Sequence, residues 1–335
     1  MACRALLLRP LLLSCLVACG RTELKDLASD GGGTTPPGGR GTGGSVGTTS
    51  AASRSPVVIV SGLGCPSRIA VDASSVYWTD RDQGTVMKVG SAGGTPINLA
   101  RNQDEPRGIA VDGRNVYWVN YAAGTVMKAP LSGGPAATLA SGQAGPFDLA
   151  LDAAHVYWLN DGTCGSVMKI DLAGGTPVTL SSCESSPGAI AVDATSVYWT
   201  SYGTEPVRKI ALTGGYGPDT VATLEPNYNG DIAVDATNVY WADSSSIYKT
   251  GIGGDKRIDL LGTSSGYRAP YALAVDATAV YWTESGSVIK KVGLAGGTPV
   301  TLASQDNFGD SDITLDATSV YWSNCTDGTI MKVGK

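Results

Sequence analysis

The sequence predicts an all-β protein, a seven-bladed β-propeller with four antiparallel strands in each blade. A Val-Tyr-Trp motif recurs every 40 to 42 residues, and each copy carries four short apolar stretches separated by turn residues. Four strands in about 40 residues is the size of a propeller blade. The motif accounts for all seven tryptophans of the chain: Trp78, Trp118, Trp158, Trp199, Trp241, Trp282 and Trp322.

Residues 1–18 are predicted to be a lipoprotein signal peptide. A leucine-rich stretch near Arg4 and Arg9 is too short to span a bilayer and is followed by polar sequence. It ends in Leu16-Val17-Ala18-Cys19, which resembles the bacterial lipobox. The resemblance implies lipidation of Cys19 and a bacterial cell envelope location, anchored in the outer membrane. An ordinary signal peptide with an incidental Cys19 is the alternative.

Residues 19–54 contain the cysteine of this motif and a tether rich in Gly, Ser and Thr. The tether has too few apolar residues to offset the entropy of ordering, so it is predicted to be disordered. The net charge of −6 comes without any run of basic residues. Nucleic acid is therefore excluded as a partner, and contact with a membrane is expected only through the lipid anchor.

Residues 55–335 are predicted to form the propeller. In the second repeat, the four strands begin with Ile109-Ala110-Val111, followed by Val116-Tyr117-Trp118 and Val126-Met127-Lys128, and end near Leu139. β-Branched and aromatic residues bounded by Gly, Asn, Asp and Ser are strand signals. Apolar residues at consecutive positions are typical of sheets covered on both faces.

The tryptophan motif resembles the YWTD repeats (class B-like) of the low-density lipoprotein receptor family. Tyr77-Trp78-Thr79-Asp80 matches in full, and Tyr198-Trp199-Thr200 and Tyr281-Trp282-Thr283 match in part. The resemblance covers nearly all of residues 55–335 and implies a propeller that binds protein. That family has six blades and a following cysteine-rich module, whereas this chain has seven repeats.

The amino end of the propeller is predicted to complete the last blade. The seventh repeat reaches only its third strand, at Ile330-Met331-Lys332. Pro56 and Pro66 precede Asp72 by the spacings with which Pro96 and Pro106 precede Asp112. Residues 56–60 are therefore expected to pair with residues 329–333, which closes the ring and removes an open sheet edge.

Four cysteines lie within the propeller and are expected to pair in an oxidising envelope. Cys164 lies between the second and third strands of repeat three, and Cys183 leads into repeat four. Cys325 and Cys65 stand in the same relation if blade seven touches blade one. The predicted disulfides are Cys164–Cys183 and Cys65–Cys325, and free buried thiols are the alternative.

Two polar positions recur in every repeat and are interpreted as parts of the scaffold. An aspartate precedes the first turn, where its carboxylate accepts backbone N–H groups, and a lysine that ends the third strand is expected to pair with it. The aspartates are Asp72, Asp112, Asp152, Asp193, Asp235, Asp276 and Asp316. The lysines are Lys88, Lys128, Lys169, Lys209, Lys249, Lys290 and Lys332.

The loops between the second and third strands and between blades differ in every repeat, and they share one face. Exposed aromatic residues on such a rim suggest recognition of a protein or saccharide ligand. Plugging of the channel is the alternative role. The predicted binding residues are Phe147, Tyr202, Tyr228, Tyr271 and Phe308.

Three carboxylates on the same face form the candidate metal site. Asp148, Asp231 and Asp312 each lie four residues before a repeated aspartate, at the entrance of the innermost strand. Such oxygen ligands suit Ca²⁺. No cofactor is predicted otherwise, and solvated surface carboxylates are the alternative interpretation.

These features favour an envelope-anchored binding or scaffold propeller without a catalytic site. His155, the only histidine, falls in a turn on the opposite face, so no Ser-His-Asp set can be assembled with the variable loops. The alternative is a Ca²⁺-dependent lactonase- or lyase-type propeller enzyme. A structural spacer within an envelope complex is a third interpretation.

Overall fold

The computed structural model describes residues 55–335 apart from 163, 202–206, 223–229, 255, 263–269, 285–287 and 305–311. In these residues no helix is long and apolar enough to cross a membrane. The strands of the first half are β1 (Val57–Val60), β2 (Pro66–Val71), β3 (Ser75–Asp80), β4 (Thr85–Gly90), β5 (Ile97–Ala100), β6 (Pro106–Val111), β7 (Asn115–Asn120), β8 (Thr125–Pro130), β9 (Ala137–Ala140), β10 (Pro146–Leu151), β11 (His155–Asn160), β12 (Gly165–Asp171), β13 (Val178–Glu184) and β14 (Pro187–Val192). Those of the second half are β15 (Ser196–Ser201), β16 (Val207–Ala211), β17 (Asp219–Ala222), β18 (Ile232–Val234), β19 (Asn238–Ala242), β20 (Ile247–Gly251), β21 (Ile258–Asp259), β22 (Pro270–Val275), β23 (Ala279–Glu284), β24 (Val288–Gly293), β25 (Val300–Ser304), β26 (Ile313–Leu315), β27 (Ser319–Asn324) and β28 (Thr329–Gly334).

The strands form seven antiparallel sheets of four, which are the seven predicted blades. The first sheet runs β2-β3-β4-β5 from the axis outward, and the next five repeat this order. Each innermost strand contacts the innermost strand of the neighbouring blade, and β26 contacts β2. The ring is therefore closed, and the predicted fold class is confirmed.

The last blade is completed by the amino end of the propeller, as predicted. β1 pairs antiparallel with β28, with Val57 opposite Lys332 and Val58 opposite Met331. The seventh sheet consequently runs β1-β28-β27-β26. The pairing of β1 with β28 joins the two ends of the domain through main-chain hydrogen bonds, so closure of the ring does not depend on side-chain contacts alone.

The hydrophobic core consists of seven clusters, one at each boundary between blades. Tyr77 of the first blade packs in the same cluster as Trp118 of the second, and Tyr117 packs with Trp158 of the third. Because neighbouring strand residues point to opposite sheet faces, each Tyr-Trp pair covers both sides of its blade. This packing explains why the strands are apolar at consecutive positions.

The turns between first and second strands are built by the repeated aspartates, as predicted. Asp72 Oδ1 accepts the N–H groups of Ser74 and Ser75 at 2.7 and 2.8 Å, and its Oδ2 accepts the Tyr77 hydroxyl at 2.7 Å. Burial alone would raise the pKa of Asp72, but these hydrogen bonds outweigh it and lower the pKa. The tyrosine of the repeated motif is thus tied to the aspartate of the same blade.

The expected pairing of the repeated lysines with these aspartates is wrong. Lys128 Nζ donates to the carbonyl of Leu172 in the next blade at 2.7 Å, and Lys209 Nζ donates to that of Ile252 at 2.7 Å. The carboxylates of the repeated aspartates already accept hydrogen bonds from turn N–H groups and from the tyrosine hydroxyl, so they do not pair with these lysines. In the sixth blade the lysine opposite the motif tyrosine is Lys291 and not Lys290, which pairs with Glu284 instead.

Both predicted disulfides are present. Cys65 is bonded to Cys325, with a Cα–Cα distance of 4.1 Å, and Cys164 is bonded to Cys183 at 3.8 Å. Cys183 lies within the outer strand β13 and not in the following loop. The first bond links the first and last blades, in agreement with the ring closure.

Candidate functional site at the axial mouth

The variable loops form one face of the propeller, which we call the variable-loop face. The backbone N–H of Gln103, between the first two blades, donates to the carbonyl of Gly84, between β4 and β3, at 2.9 Å. Tyr121 donates in the same way to Glu105 at 3.0 Å. Both kinds of loop therefore lie together, and the aspartate turns form the opposite face, which we call the turn face.

The residues four positions before the repeated aspartates surround the channel, and we call them the axial belt. A β-bulge in most innermost strands shifts the register just before or at this position, which re-aims the side chains. The belt consists, from the first blade to the seventh, of Arg68, Gly108, Asp148, Ala189, Asp231, Ala272 and Asp312.

The three belt aspartates each hold the following blade. Asp148 Oδ2 accepts the N–H of Ile190 at 3.2 Å, Asp231 Oδ2 accepts that of Leu273 at 2.8 Å, and Asp312 Oδ2 accepts that of Ile69 at 2.9 Å. The three predicted metal residues therefore act as inter-blade hydrogen-bond acceptors at the axis.

The belt residue next to Asp148 has to be a glycine. A Cβ on Gly108 would lie 2.8 Å from the Cα of Asp148 and 2.9 Å from the N of Leu149. Such contacts are not seen between real atoms, so only glycine fits beside the third blade at this height. Side-chain volume is thus distributed unevenly around the channel.

Arg68 lies among the belt carboxylates. Its guanidinium Nη1 is 3.5 Å from Asp312 Oδ1, and both side chains are largely buried. Burial would lower the pKa of Arg68, but the charges of Asp312, Asp148 and Asp231 outweigh it and raise the pKa. The guanidinium is also 5.8 Å from the centroid of Phe147 in the third blade, so it extends from the first blade across the entrance of the channel.

The belt carboxylates have raised pKa values because burial disfavours their charged form. The pKa of Asp231 is raised to about 7 by burial, against the lowering effect of Arg68 and with a further contribution from Asp312. Burial also raises the pKa of Asp148 and of Asp312, although Arg68 opposes it in both. The positive charge of Arg68 thus offsets only part of the effect of burial on the pKa values of the three carboxylates.

An aromatic residue and two guanidinium groups lie at the mouth of the channel. The Phe147 ring has Arg107 at 5.2 Å and Arg68 at 5.8 Å from its centroid. Arg107 also stacks over the Tyr121 ring at 3.7 Å, and the Tyr121 hydroxyl donates to Asp161 at 3.2 Å. These cation–π contacts hold the mouth residues in place.

The predicted binding residues are only partly described. Phe147 is half-buried in the mouth, and Tyr271 is 51% exposed. Tyr271 also contributes to the electrostatic environment of Arg68. Tyr202, Tyr228 and Phe308 lie outside the described residues. The Tyr271 side chain is thus accessible to solvent. The Phe147 ring is packed against Arg68 and Arg107 at the mouth of the channel.

Sequence reasoning missed Arg68 and Arg107. Arg107 stands five residues before the repeated Asp112, which is the repeat position of Phe147 and Tyr271. Arg68 stands at the repeat position of the belt aspartates. A comparison of every repeat position, charged as well as aromatic and acidic, would have found both.

The Ca²⁺ assignment to Asp148, Asp231 and Asp312 stays a prediction. Across the part of the chain that is described, no three His, Cys, Asp or Glu side chains have the arrangement of a metal site. The carboxylates instead face Arg68 and backbone N–H groups. Their oxygen atoms are of the type that Ca²⁺ prefers, but a cationic side chain shares their site.

His155 lies on the turn face, as predicted. It begins β11, and its Nδ1 is 3.3 Å from Asp152 Oδ1 in the aspartate turn of the third blade. The ring also lies next to Tyr157. The sole histidine is therefore part of a structural turn at the end of the channel away from the aromatic mouth.

Comparison with known proteins shows the fold. No family model and no curated protein sequence matches the chain. Virginiamycin B lyase from Staphylococcus aureus is similar, with a TM-score of 0.70 and 13% identity over 84% of this chain and 98% of that chain. A streptogramin B lyase structure gives a TM-score of 0.70 and 14% identity over 83% and 97%.

A third solved structure comes from a complex of two proteins. A chain of a nidogen/laminin complex matches with a TM-score of 0.51 and 20% identity, over 58% of this chain and 78% of that chain. At identities this low, all three likenesses concern the fold alone. They define the class of protein as a β-propeller.

Proposed function

We propose that the protein is a recognition propeller that binds a partner protein at the axial mouth of its variable-loop face. The observation that carries this proposal is the cluster in which Phe147 lies between Arg68 and Arg107, with the exposed Tyr271 on the same face. Aromatic rings and arginines fixed by their neighbours provide contact area at little entropic cost, and they are frequent in binding hot spots.

The repeat pattern supports a protein ligand. YWTD-type repeats are proposed for this chain, and the nidogen/laminin structure is a protein complex. A saccharide ligand would use the same aromatic rim, and it is an outcome of the experiment below.

A lyase-type activity is the second candidate, and the fold of the two lyases favours it. One structure of virginiamycin B lyase is of a catalytically inactive histidine-to-alanine variant. The sole histidine of this chain lies on the turn face, away from the mouth. An enzyme of this kind would therefore have to use the belt carboxylates and a bound cation, which makes binding the better-supported function.

The binding domain is proposed to be tethered to the bacterial envelope. Residues 1–18 have the pattern of a signal peptide, and Cys19 stands at the position lipidated in lipoproteins. The tether of residues 20–54 would place the propeller on the order of 30 Å from the membrane. The disulfides agree with an oxidising compartment.

Replacement of Tyr271 by alanine is expected to reduce capture of the partner by at least about tenfold, as for a hot-spot aromatic residue. The propeller would be immobilised through its amino end and exposed to envelope extract, with bound proteins and glycans identified separately. The melting temperature should change little in this variant, because about half of the Tyr271 side chain is exposed.

Tyr216 provides the matched control. It is a fully exposed tyrosine on the turn face, so Tyr216→Ala should leave capture unchanged. Equal losses in Tyr216→Ala and Tyr271→Ala would contradict the face assignment. Cation-dependent turnover of a lactone that disappears in Asp231→Asn would favour the enzyme instead.

A further inference from the structure

The axial belt alternates between small residues and aspartates through most of the ring. From the second blade to the seventh the belt reads Gly108, Asp148, Ala189, Asp231, Ala272 and Asp312. Asp148 and Asp231 are each followed by an alanine, Ala189 and Ala272, and each accepts the N–H of the residue after that alanine, in the innermost strand of the next blade. Large and small belt residues therefore alternate from the second blade to the seventh.

A ring of seven cannot alternate throughout, because seven is odd. The alternation fails at one boundary, between the seventh and first blades, where Asp312 and Arg68 are neighbours. Two large side chains meet there, and they carry opposite charges at a distance of 3.5 Å. Asp312 nevertheless accepts the N–H of Ile69 in the first blade at 2.9 Å, just as Asp148 and Asp231 accept an N–H of the blade that follows theirs.

We propose that Arg68 is a built-in cation of the axial belt: it completes the boundary between first and last blades, and takes the place of a bound metal ion among Asp148, Asp231 and Asp312. The guanidinium is 3.5 Å from Asp312 of the seventh blade and 5.8 Å from the Phe147 ring of the third blade, and the charges of Asp312, Asp148 and Asp231 all act on it. This role belongs to the closure of the ring and does not depend on the proposed recognition function.

The charge balance explains why a cation is needed. Three buried carboxylates repel one another, and burial of each charge is costly unless an opposite charge compensates it. The groups that face one another here are Arg68, Asp148, Asp231, Asp312 and the hydroxyl of Tyr271. Arg68 is the only cation among them, so its removal leaves the carboxylates without a counter-charge.

The experiment compares Arg68→Ala with Arg107→Ala in the intact propeller. Arg68→Ala is expected to lower the melting temperature by about 10 °C near neutral pH, since removal of one partner from a buried ion pair is strongly destabilising. Arg107 is the matched control, because it also touches Phe147 but pairs with the exposed Glu105. Its replacement should lower the melting temperature much less.

Two further measurements separate lost charge from lost packing. The deficit of Arg68→Ala should shrink at about pH 5, where the belt carboxylates take up protons. Millimolar Ca²⁺ should raise the melting temperature of Arg68→Ala and leave that of the unmodified protein unchanged. Arg68→Lys keeps the charge, and it should recover more than half of the loss even if the alanine variant does not fold.

The proposal is overturned if Arg68→Ala is no less stable than Arg107→Ala, or if Arg68→Lys is as unstable as Arg68→Ala. It is also overturned if Ca²⁺ stabilises the unmodified protein as much as the variant, because the cluster would then hold a metal ion beside the arginine. None of these results depends on capture of a partner.

Discussion

A single residue that differs between repeats decides whether the buried indole N–H of a repeated tryptophan has a hydrogen-bond acceptor. Trp118 Nε1 donates to Gln103 Oε1 at 2.9 Å, and Trp158 Nε1 donates to Gln143 at 3.1 Å. The indole N–H of Trp78 is buried and has no acceptor. The reason is that Leu63 occupies the place of these glutamines in the first blade.

Leu63→Gln is expected to stabilise the protein by about 1 kcal/mol, the usual net contribution of a buried hydrogen bond. The backbone N–H of Leu63 donates to Gly328 at 3.0 Å, just as that of Gln103 donates to Gly84 at 2.9 Å. A glutamine at position 63 would therefore start from the same backbone geometry. Urea unfolding would measure the change in the free energy of unfolding.

Leu63→Met is the matched control for this prediction, because it preserves apolar volume without an amide. It should leave the free energy of unfolding nearly unchanged. A glutamine variant that is no more stable than the methionine variant would show that Trp78 is not limited by its missing acceptor.

At the scale of elements, two kinds of link hold the blades together. Neighbouring blades share the Tyr-Trp clusters and the lysine-to-carbonyl bonds. The first and last blades are joined further by β1 within the seventh sheet, by Arg68 at the axis and by Cys65–Cys325 on the variable-loop face. The boundary between the first and last blades is thus stabilised at the outer edge of the blade, at the axis and on the variable-loop face.

Removal of the Cys65–Cys325 bond by a double alanine substitution should destabilise the protein more than removal of Cys164–Cys183. The bonds close chain segments of 260 and 19 residues. In the chain-entropy model their loss costs about 6 and about 3 kcal/mol, because the longer loop restricts the unfolded chain more.

Urea unfolding of the two double variants would test this difference. Each variant serves as the control for the other, since both replace two cysteines on the same face. Equal losses, or a larger loss for Cys164–Cys183, would contradict the ring-closure role of the longer link.

At the scale of the whole molecule, two sets of aspartates have opposite pKa shifts. The turn aspartates have lowered pKa values, because hydrogen bonds from turn N–H groups and tyrosine outweigh burial. The belt aspartates have raised pKa values, because burial outweighs Arg68. Stability should therefore respond to pH in two ranges.

The free energy of unfolding is expected to rise as the pH falls from about 8 to about 5, and then to fall below about pH 4. In the upper range the folded state binds more protons than the unfolded state, because the pKa of Asp231 is raised to about 7. In the lower range the unfolded state binds more protons, because the turn aspartates keep lowered pKa values when folded. Urea midpoints at several pH values would measure both slopes.

Asp231→Asn should flatten the upper range and leave the lower range unchanged, since it removes one titrating belt group. An unchanged slope in this variant would mean that the upper range arises elsewhere. A stability maximum above pH 8 would contradict the raised pKa values.

The sequence alone determined the number of blades, the completion of the last blade by residues 57–60, the two disulfides and the turn role of the repeated aspartates. These features repeat, or they follow from repeat positions, so one chain contains several copies of the same evidence. Only the tertiary structure placed Arg68 among three carboxylates, Arg107 beside Phe147 and Tyr121, and the lysines on the carbonyls of the next blade. Those contacts join residues of different blades, and their distances depend on how closely seven blades approach the axis, which no local pattern records.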